Sequence, residues 1–174
     1  MDSPEILQRK EKATSIRLVA SPFGFLKLAS RDGRLCLCQW HVEPLAGAGC
    51  NSEEPVLREA ERQLNEYFNR SRTSFALPLF FGGTVFQQMV WNALANIPYG
   101  SMVTYAWLAR AIGRPKAVRA VARACHDNPL GIILPCHRVI GSNGKLVGYA
   151  GGLETKRCLL QLEQQVEWKE DNTR

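Results

Sequence analysis

The sequence predicts an α/β (α+β) protein in two parts. Residues 1–83 read as a small sheet with one helix, and residues 84–174 as a helical unit containing a helix-turn-helix. Three observations lead there. Short apolar runs split by turn signals fill residues 15–40, and the apolar spacing turns helical beyond a Pro/Gly-containing connection. Two helical stretches then meet at Gly113-Arg114-Pro115. A length of 174 residues suits one good core or two small ones, and 45% hydrophobic with 22% charged residues is ordinary for a globular chain.

"SIRLVA", "FLKLAS" and "RLCLCQW", separated by "SPFG" and "RDGR", read as a β-meander. Residues 43–53 read as a loop. "EEPVLREAERQLNEYFN" follows, with Val56, Leu57, Ala60, Leu64, Tyr67 and Phe68 at helical spacing. Residues 71–83, with Pro78, Gly82 and Gly83, form an extended connection and the best boundary between the parts. "TVFQQMVWNALANI" is a helix capped by Thr84 that buries Phe86, Met89, Val90, Ala93 and Leu94. "TYAWLARAIG" starts at Thr104 and stops at Gly113, and "PKAVRAVARACHDN" begins with Pro115 in the first helical position. Residues 154–166 make a last amphipathic helix, and residues 1–14 and 167–174 are expected to be mobile ends.

No run of about 18 apolar residues occurs, and "MDSPEILQRKEKATS" lacks the apolar stretch of a signal peptide, so a cytoplasmic protein, or a nuclear one if the source is eukaryotic, with no membrane partner is expected. The six cysteines read as free thiols in a reducing compartment. Cys36, Cys38, His41 and Cys50 invite a metal, but C-x-C-x-x-H-x₈-C is not a standard zinc spacing and none is expected. Cys36 and Cys38 should share one strand face; Cys125 and Cys158 look like small core residues. The four tryptophans read as core or edge residues without a role.

The net charge of +6 lies entirely within residues 98–145, which carry seven cations against Asp127 alone. A solvated surface would spread such charges, so the asymmetry favours a polyanion, most simply nucleic acid. In the second helix of the pair, Val118, Val121, Ala122 and Cys125 form an apolar face, while Lys116, Arg119 and Arg123 form a basic one. With Ala117 and Val118 between them, these cations make the expected DNA-contacting segment. A surface helix with solvated cations is the plainer alternative.

The apolar run Gly131-Ile132-Ile133-Leu134-Pro135, which reads as a buried strand or extended segment, leads within "LPCHRVIGSNGK" to Cys136, followed at once by His137 and Arg138. A buried free cysteine is usually inert, but adjacent basic groups favour the reactive thiolate. Sequence neighbours bond poorly side chain to side chain; a bridging water would let His137 take the thiol proton, with a carboxylate orienting its other ring nitrogen.

"PCHRVI" resembles the active-site motif of the O6-alkylguanine-DNA alkyltransferases, the methylated-DNA–protein-cysteine methyltransferases, of bacterial type. The resemblance extends in order over "IPYGSMVTYAWLA", "RPKAVRAVARACHDNP", "IILPCHRVIGSNGKLVGYAGG" and "KRCLLQLE", and "SPFGFLKLAS" and "LNEYF" look like the family's N-terminal domain. It implies a ribonuclease-H-like N-terminal domain followed by a winged-helix-like catalytic domain. It also implies irreversible, stoichiometric transfer of a methyl or alkyl group from O6-alkylguanine, and from O4-methylthymine, to Cys136. The partner would be double-stranded DNA with the base flipped out from the minor-groove side, bound by a monomer that can load cooperatively, and no cofactor would be needed.

Carried over by the resemblance, His137 deprotonates Cys136, Glu163 orients His137, and Asn128 ties the recognition helix to the active-site loop. Tyr105 helps rotate the nucleotide and protonates the departing guanine. Arg119 fills the vacated stack and Ser142 contacts a phosphate. Val139 offers its carbonyl to the guanine amino group, and Tyr149, Ala150, Gly151 and Gly152 form the pocket lid, with Cys125 beside its hinge. The chain departs from the family where Ala122 and Asp127 replace glycines, with Arg123 and His126 also unusual. Asp127 would mildly repel a phosphate and Arg123 would compensate, so altered DNA affinity is expected rather than lost chemistry. A non-catalytic lesion binder, a winged-helix regulator and a cysteine hydrolase are the alternatives. Cys136 argues against the first, its combination with Tyr105 and Glu163 against the second, and the basic helix against the third.

Overall fold

The computed structural model describes residues 15–41 and 51–164; the expectations for the two chain ends, for Cys50 and for Trp168 fall outside them. Strands β1 (Ser15–Ser21), β2 (Gly24–Arg31) and β3 (Arg34–His41) form an antiparallel sheet in sequence order. Asp32 and Gly33 join β2 to β3 with φ of 50° and 70°. Two consecutive positive φ angles match the twist of a hairpin, which is why Asp-Gly serves here. A register shift opposite Ala29 and Ser30 makes Cys36 an extra residue, so Ser30 pairs with Leu35 and Leu28 with Cys38. Cys36 and Cys38 therefore do not share a face in the expected way: the bulge turns Leu35 to the Cys38 side.

Helix α1 (Pro55–Phe68) lies on this sheet and buries all six residues picked out by spacing, together with Gln63. The Gln63 amide bonds both backbone groups of Ala76, at 2.9 and 2.8 Å, and so pins the connection that follows. That connection runs beside β3, where Leu35 bonds Pro78 O and Phe80 bonds Leu35 O. Further along β3, Cys38 bonds Pro129 O and receives Gly131 N–H, both at 2.8 Å. The outer edge of β3 is thus covered by two strips of chain, the second leading directly into the "PCHR" turn.

Helix α2 (Val85–Ala95) opens with a reciprocal capping box between Thr84 and Gln87. It buries Val90, Trp91 and Leu94; of the other expected core residues, Phe86 and Ala93 pack against the core only partly buried and Met89 is half-exposed. Trp91 is drawn in because its indole N–H donates to Ala124 O at 2.8 Å. A short strand β4 (Val103–Thr104) leads into α3 (Tyr105–Ala111), capped by Thr104.

Helix α4 (Val118–His126) begins later than expected. Pro115 is not its first residue but sits in a turn closed by Ala117 N–H to Arg114 O at 2.8 Å, a setting where its fixed φ is equally suited. The buried face of α4 is Val121, Ala124 and Cys125, with Ala124 in the place predicted for Ala122. Residues 131–135 form turns rather than a strand, with Ile132 at φ 68°, a costly conformation for a β-branched residue. One turn of 3₁₀ helix (Cys136–Arg138), strand β5 (Val139–Ile140) parallel to β4, and α5 (Leu153–Gln164) complete the described chain.

Candidate active site

Cys136 and His137 sit side by side in the 3₁₀ turn, both buried. Asn128, just past α4, fixes this turn: its amide donates to Leu134 O at 2.8 Å and its carbonyl accepts Leu130 N–H at 3.0 Å. His137 Nε2 lies 2.6 Å from Glu163 Oε1 on α5. A carboxylate can only accept, so Nε2 carries the proton and Nδ1 keeps its lone pair. Nδ1 is buried with no hydrogen-bond partner among the described residues. The imidazole is therefore held as a base with its accepting atom unspent.

Glu163 collects five donors. Oε1 accepts from His137, from Tyr67 O–H at 2.7 Å and from Arg138 at 3.0 Å; Oε2 accepts from Arg138 Nε at 2.8 Å and Gly100 N–H at 3.0 Å. Burial alone would raise this carboxyl, but the hydrogen bonds from His137 and Arg138 and the Arg138 charge hold it well below the usual carboxylate range. Arg138 forks onto Glu163 and also donates to Ile97 O at 2.5 Å. The fork neutralises the carboxylate, and His137 stays uncharged. Burial pushes the imidazole below its usual value against the pull of Glu163, and the Arg138 and Lys156 charges push the same way.

The Cys136 thiol is raised by burial, which the Asn128 amide and the Lys156 charge oppose. At rest it is protonated, and its reaction requires a base. Arg138, expected from its position to favour the thiolate, is committed to Glu163; the cation that favours the thiolate is Lys156. Its ammonium is buried on α5 and donates to Val139 O at 2.6 Å, Val147 O at 2.9 Å and Gly148 O at 3.4 Å. Burial lowers Lys156 to about 8, against the opposing pull of Cys136 and Cys125. Lys156 thereby ties β5 to the loop over the site.

That loop carries the expected lid. Tyr149 faces the His137 ring edge-on at 6.5 Å, and its hydroxyl accepts Trp40 Nε1–H at 3.1 Å. A Cβ on Gly151 would stand 2.4 Å from Trp40 Cδ1, so glycine is needed there for contact with β3. Gly152, at φ 85°, turns the chain into α5, while Ala150 and Ser142 are exposed. Tyr105 donates to Val147 O at 3.3 Å. Cys125 is buried behind the site, and its thiol is raised by burial and by Cys136. Cys158 is half-exposed with its Sγ 3.8 Å from Glu154, not the core residue expected.

On α4 and the turn before it, Lys116, Arg119 and Arg123 are exposed, and Ala117 and Val118 half-exposed, giving one basic face. Asp127, expected to sit near a phosphate, is turned toward neighbouring side chains. It is buried, with Oδ2 accepting Arg123 Nε at 3.2 Å and Gln87 Nε2 at 3.4 Å. Arg123 therefore answers Asp127 before any phosphate.

Tyr67, Trp40 and Lys156 are parts of the site that sequence reasoning did not assign, and Arg138 serves Glu163 rather than the thiolate. Lys156 left a signal: it and Glu163 lie seven apart, on the stripe of α5 that also buries Leu159 and Leu160. Tyr67 and Trp40 left none beyond apolar spacing.

The chain matches the family models described as 6-O-methylguanine DNA methyltransferase, ribonuclease-like domain, over residues 16–81, and DNA binding domain, over residues 85–165. The methylated-DNA–protein-cysteine methyltransferase of Methanosarcina barkeri is 46% identical over 154 residues, which span 84% of this chain and 95% of that protein. The constitutive Bacillus subtilis protein of that name is 53% identical over 121 residues, 69% of this chain and 73% of its own. Among solved structures, Mycobacterium tuberculosis OGT in complex with DNA superimposes with a TM-score of 0.79 at 43% identity, covering 87% of this chain and 94% of that one.

Proposed function

The chain belongs to the 6-O-methylguanine DNA methyltransferase family, enzymes that repair DNA by alkyl transfer to a protein cysteine, and from that premise we propose that Cys136 is the acceptor. The observation that carries this reading is the Cys136–His137–Glu163 arrangement, with a neutral imidazole whose Nδ1 is unspent beside a protonated thiol.

A single water between Sγ and Nδ1 lets His137 remove the thiol proton, and Glu163 supports the imidazolium that forms. The thiolate attacks the alkyl carbon on O6, an S–C bond forms and the C–O bond breaks, and the electron pair leaves with guanine. Tyr105 protonates the departing base and is returned to the phenol by the proton held on His137. The thioether has no group to reverse it, so each molecule acts once and without a cofactor. O4-methylthymine presents the same alkyl–oxygen bond and is a second substrate.

The target base is extruded from the duplex before it can reach Cys136. Arg119 fills its place from the minor-groove side, and Lys116, Ala117, Val118, Arg123 and Ser142 lie along the backbone. Val139 O, with one lone pair given to Lys156, offers the other to the guanine amino group. Tyr149, Ala150, Gly151, Gly152 and Cys125 shape the pocket, and Asn128 couples α4 to it. We take residues 1–83 and 84–174 as the two units, and the protein as a cytoplasmic monomer. No described helix is long and apolar enough to cross a membrane.

The test is the peptide mass of the protein after mixing with a duplex carrying one O6-methylguanine. One methyl on the Cys136 peptide, equal in amount to repaired base, is the expected result. Tight binding of that duplex with no methyl moved would make the protein a lesion binder instead.

The pH dependence follows from His137. Its folded pKa lies below the ordinary 6.5, and only its neutral form accepts a proton. The single-turnover transfer rate should therefore hold as pH falls through 6.5 and drop only below it. Quenched-flow measurements from about pH 8 to about pH 5 check this; a limb at or above the ordinary histidine value would remove His137 from the role of base.

A further inference from the structure

We propose that Tyr67, on α1 of the N-terminal sheet unit, is a positioning residue for the transfer: its hydroxyl grips Glu163 Oε1 and so sets the orientation of His137. The inference rests on the reading of His137 as the base and adds a residue from the other half of the chain.

The Tyr67 ring is wholly buried, packed edge-on against Phe68 at 5.4 Å and Tyr99 at 6.0 Å and tilted on Phe75 at 5.5 Å. A phenylalanine would fill that space equally well, so packing does not account for the hydroxyl. The O–H points out of the cluster to Glu163 Oε1 at 2.7 Å, the same oxygen that receives His137 Nε2–H at 2.6 Å. Tyr67 O also stands 3.5 Å from Nε2, at the limit of hydrogen-bond reach, so its stronger contact is with the carboxylate. Arg138 and Gly100 hold the Glu163 plane from one side. Tyr67 closes the approach to Oε1 from α1 and leaves His137 one way to lie.

The hydroxyl also takes a share of the charge on Oε1. An ionised Glu163 with fewer donors attracts a proton on His137 more strongly, and a protonated His137 cannot accept one from Cys136. The charged and titratable groups facing the pair are Tyr67 from α1, Tyr99 from the loop before β4, Arg138 and Cys136 from the turn, Lys156 from α5 and Tyr149 from the lid. Arg138 and Lys156 are cations that already favour neutral His137. Tyr67 acts in the same direction as a neutral donor, because burial and the Glu163 charge keep its phenol protonated.

Tyr67→Phe tests this, with two readouts that core packing does not move. The chain has three histidines, so imidazole nitrogen shifts can follow His137 individually by NMR. In Tyr67→Phe the His137 titration should move up by about one unit, and the low-pH limb of methyl transfer should move with it. At neutral pH the single-turnover rate should fall by about tenfold, at most about threefold of it from the titration shift and the rest from the looser His137 orientation, while affinity for an O6-methylguanine duplex stays the same. An unchanged His137 titration and an unchanged limb, at any thermal stability, would overturn the proposal and leave Tyr67 as a core residue. If the wild type itself moved no methyl to Cys136, the proposed function would fall instead; the NMR titration separates the two cases because it needs no activity.

Discussion

Cys136→Ala is expected to transfer no methyl and to bind an O6-methylguanine duplex as tightly as the wild type. Sγ is the reacting atom, and neither thiol electrostatically coupled to it has a base of its own. Cys38 is pushed up to about 12, chiefly by burial, and Cys125 is raised by burial and by Cys136. Both remain protonated at neutral pH, and a neutral thiol is a poor nucleophile. The turn itself survives, because its geometry is set by backbone and by Asn128: Cys136 N–H bonds Leu134 O and Asn128 bonds the same carbonyl. Losing one buried sulfur costs about 1 kcal/mol of stability, too little to disturb the basic face on α4. A band shift on the alkylated duplex and the mass of the recovered protein measure both halves. A methyl arriving on Cys125 or Cys38 would show that the pocket chooses its thiol by proximity alone, and lost binding would place Cys136 in recognition as well.

What could be read from the sequence was what short-range chemistry dictates. Asp32-Gly33 announces a hairpin because few other pairs accept two positive φ angles, and Thr84 announces a helix start because its side chain can satisfy a backbone N–H of the first turn. The errors fall where two local solutions are equally good. Pro115 fits a turn as well as a first helical position, and on α4 Ala122 and Ala124 are indistinguishable by hydrophobicity. Residues 131–135 are apolar because they are buried, not because they are extended. The catalytic order Cys136–His137–Glu163 was reached by resemblance. The contacts that set its chemistry, Tyr67 to Glu163 and Trp40 to Tyr149, join positions 96 and 109 residues apart. An apolar stripe conceals such polar tips, because a tyrosine or tryptophan counts as core at any spacing.

Glu163→Gln should lower both the transfer rate, by about 100-fold or more, and stability, by about 3–5 kcal/mol. The shapes of the two side chains match, so the cause is charge and donor count. Glu163 receives five hydrogen bonds from four residues. Glutamine offers one acceptor oxygen and turns an N–H₂ toward the remaining donors. Arg138, buried and forked onto Glu163, loses its counter-charge, and an uncompensated cation in the interior is the dominant cost. His137 loses the acceptor that holds the proton on Nε2, so its tautomer is no longer fixed and the imidazolium is no longer supported. The two effects separate in Glu163→Gln/Arg138→Met, which removes the stranded cation and should regain much of the stability but none of the rate. Denaturant unfolding and single-turnover transfer, measured on wild type and both variants, read them independently. Recovery of the rate with the stability would mean that Glu163 serves catalysis only by keeping the site folded. A single variant with wild-type rate would remove the carboxylate from the mechanism altogether.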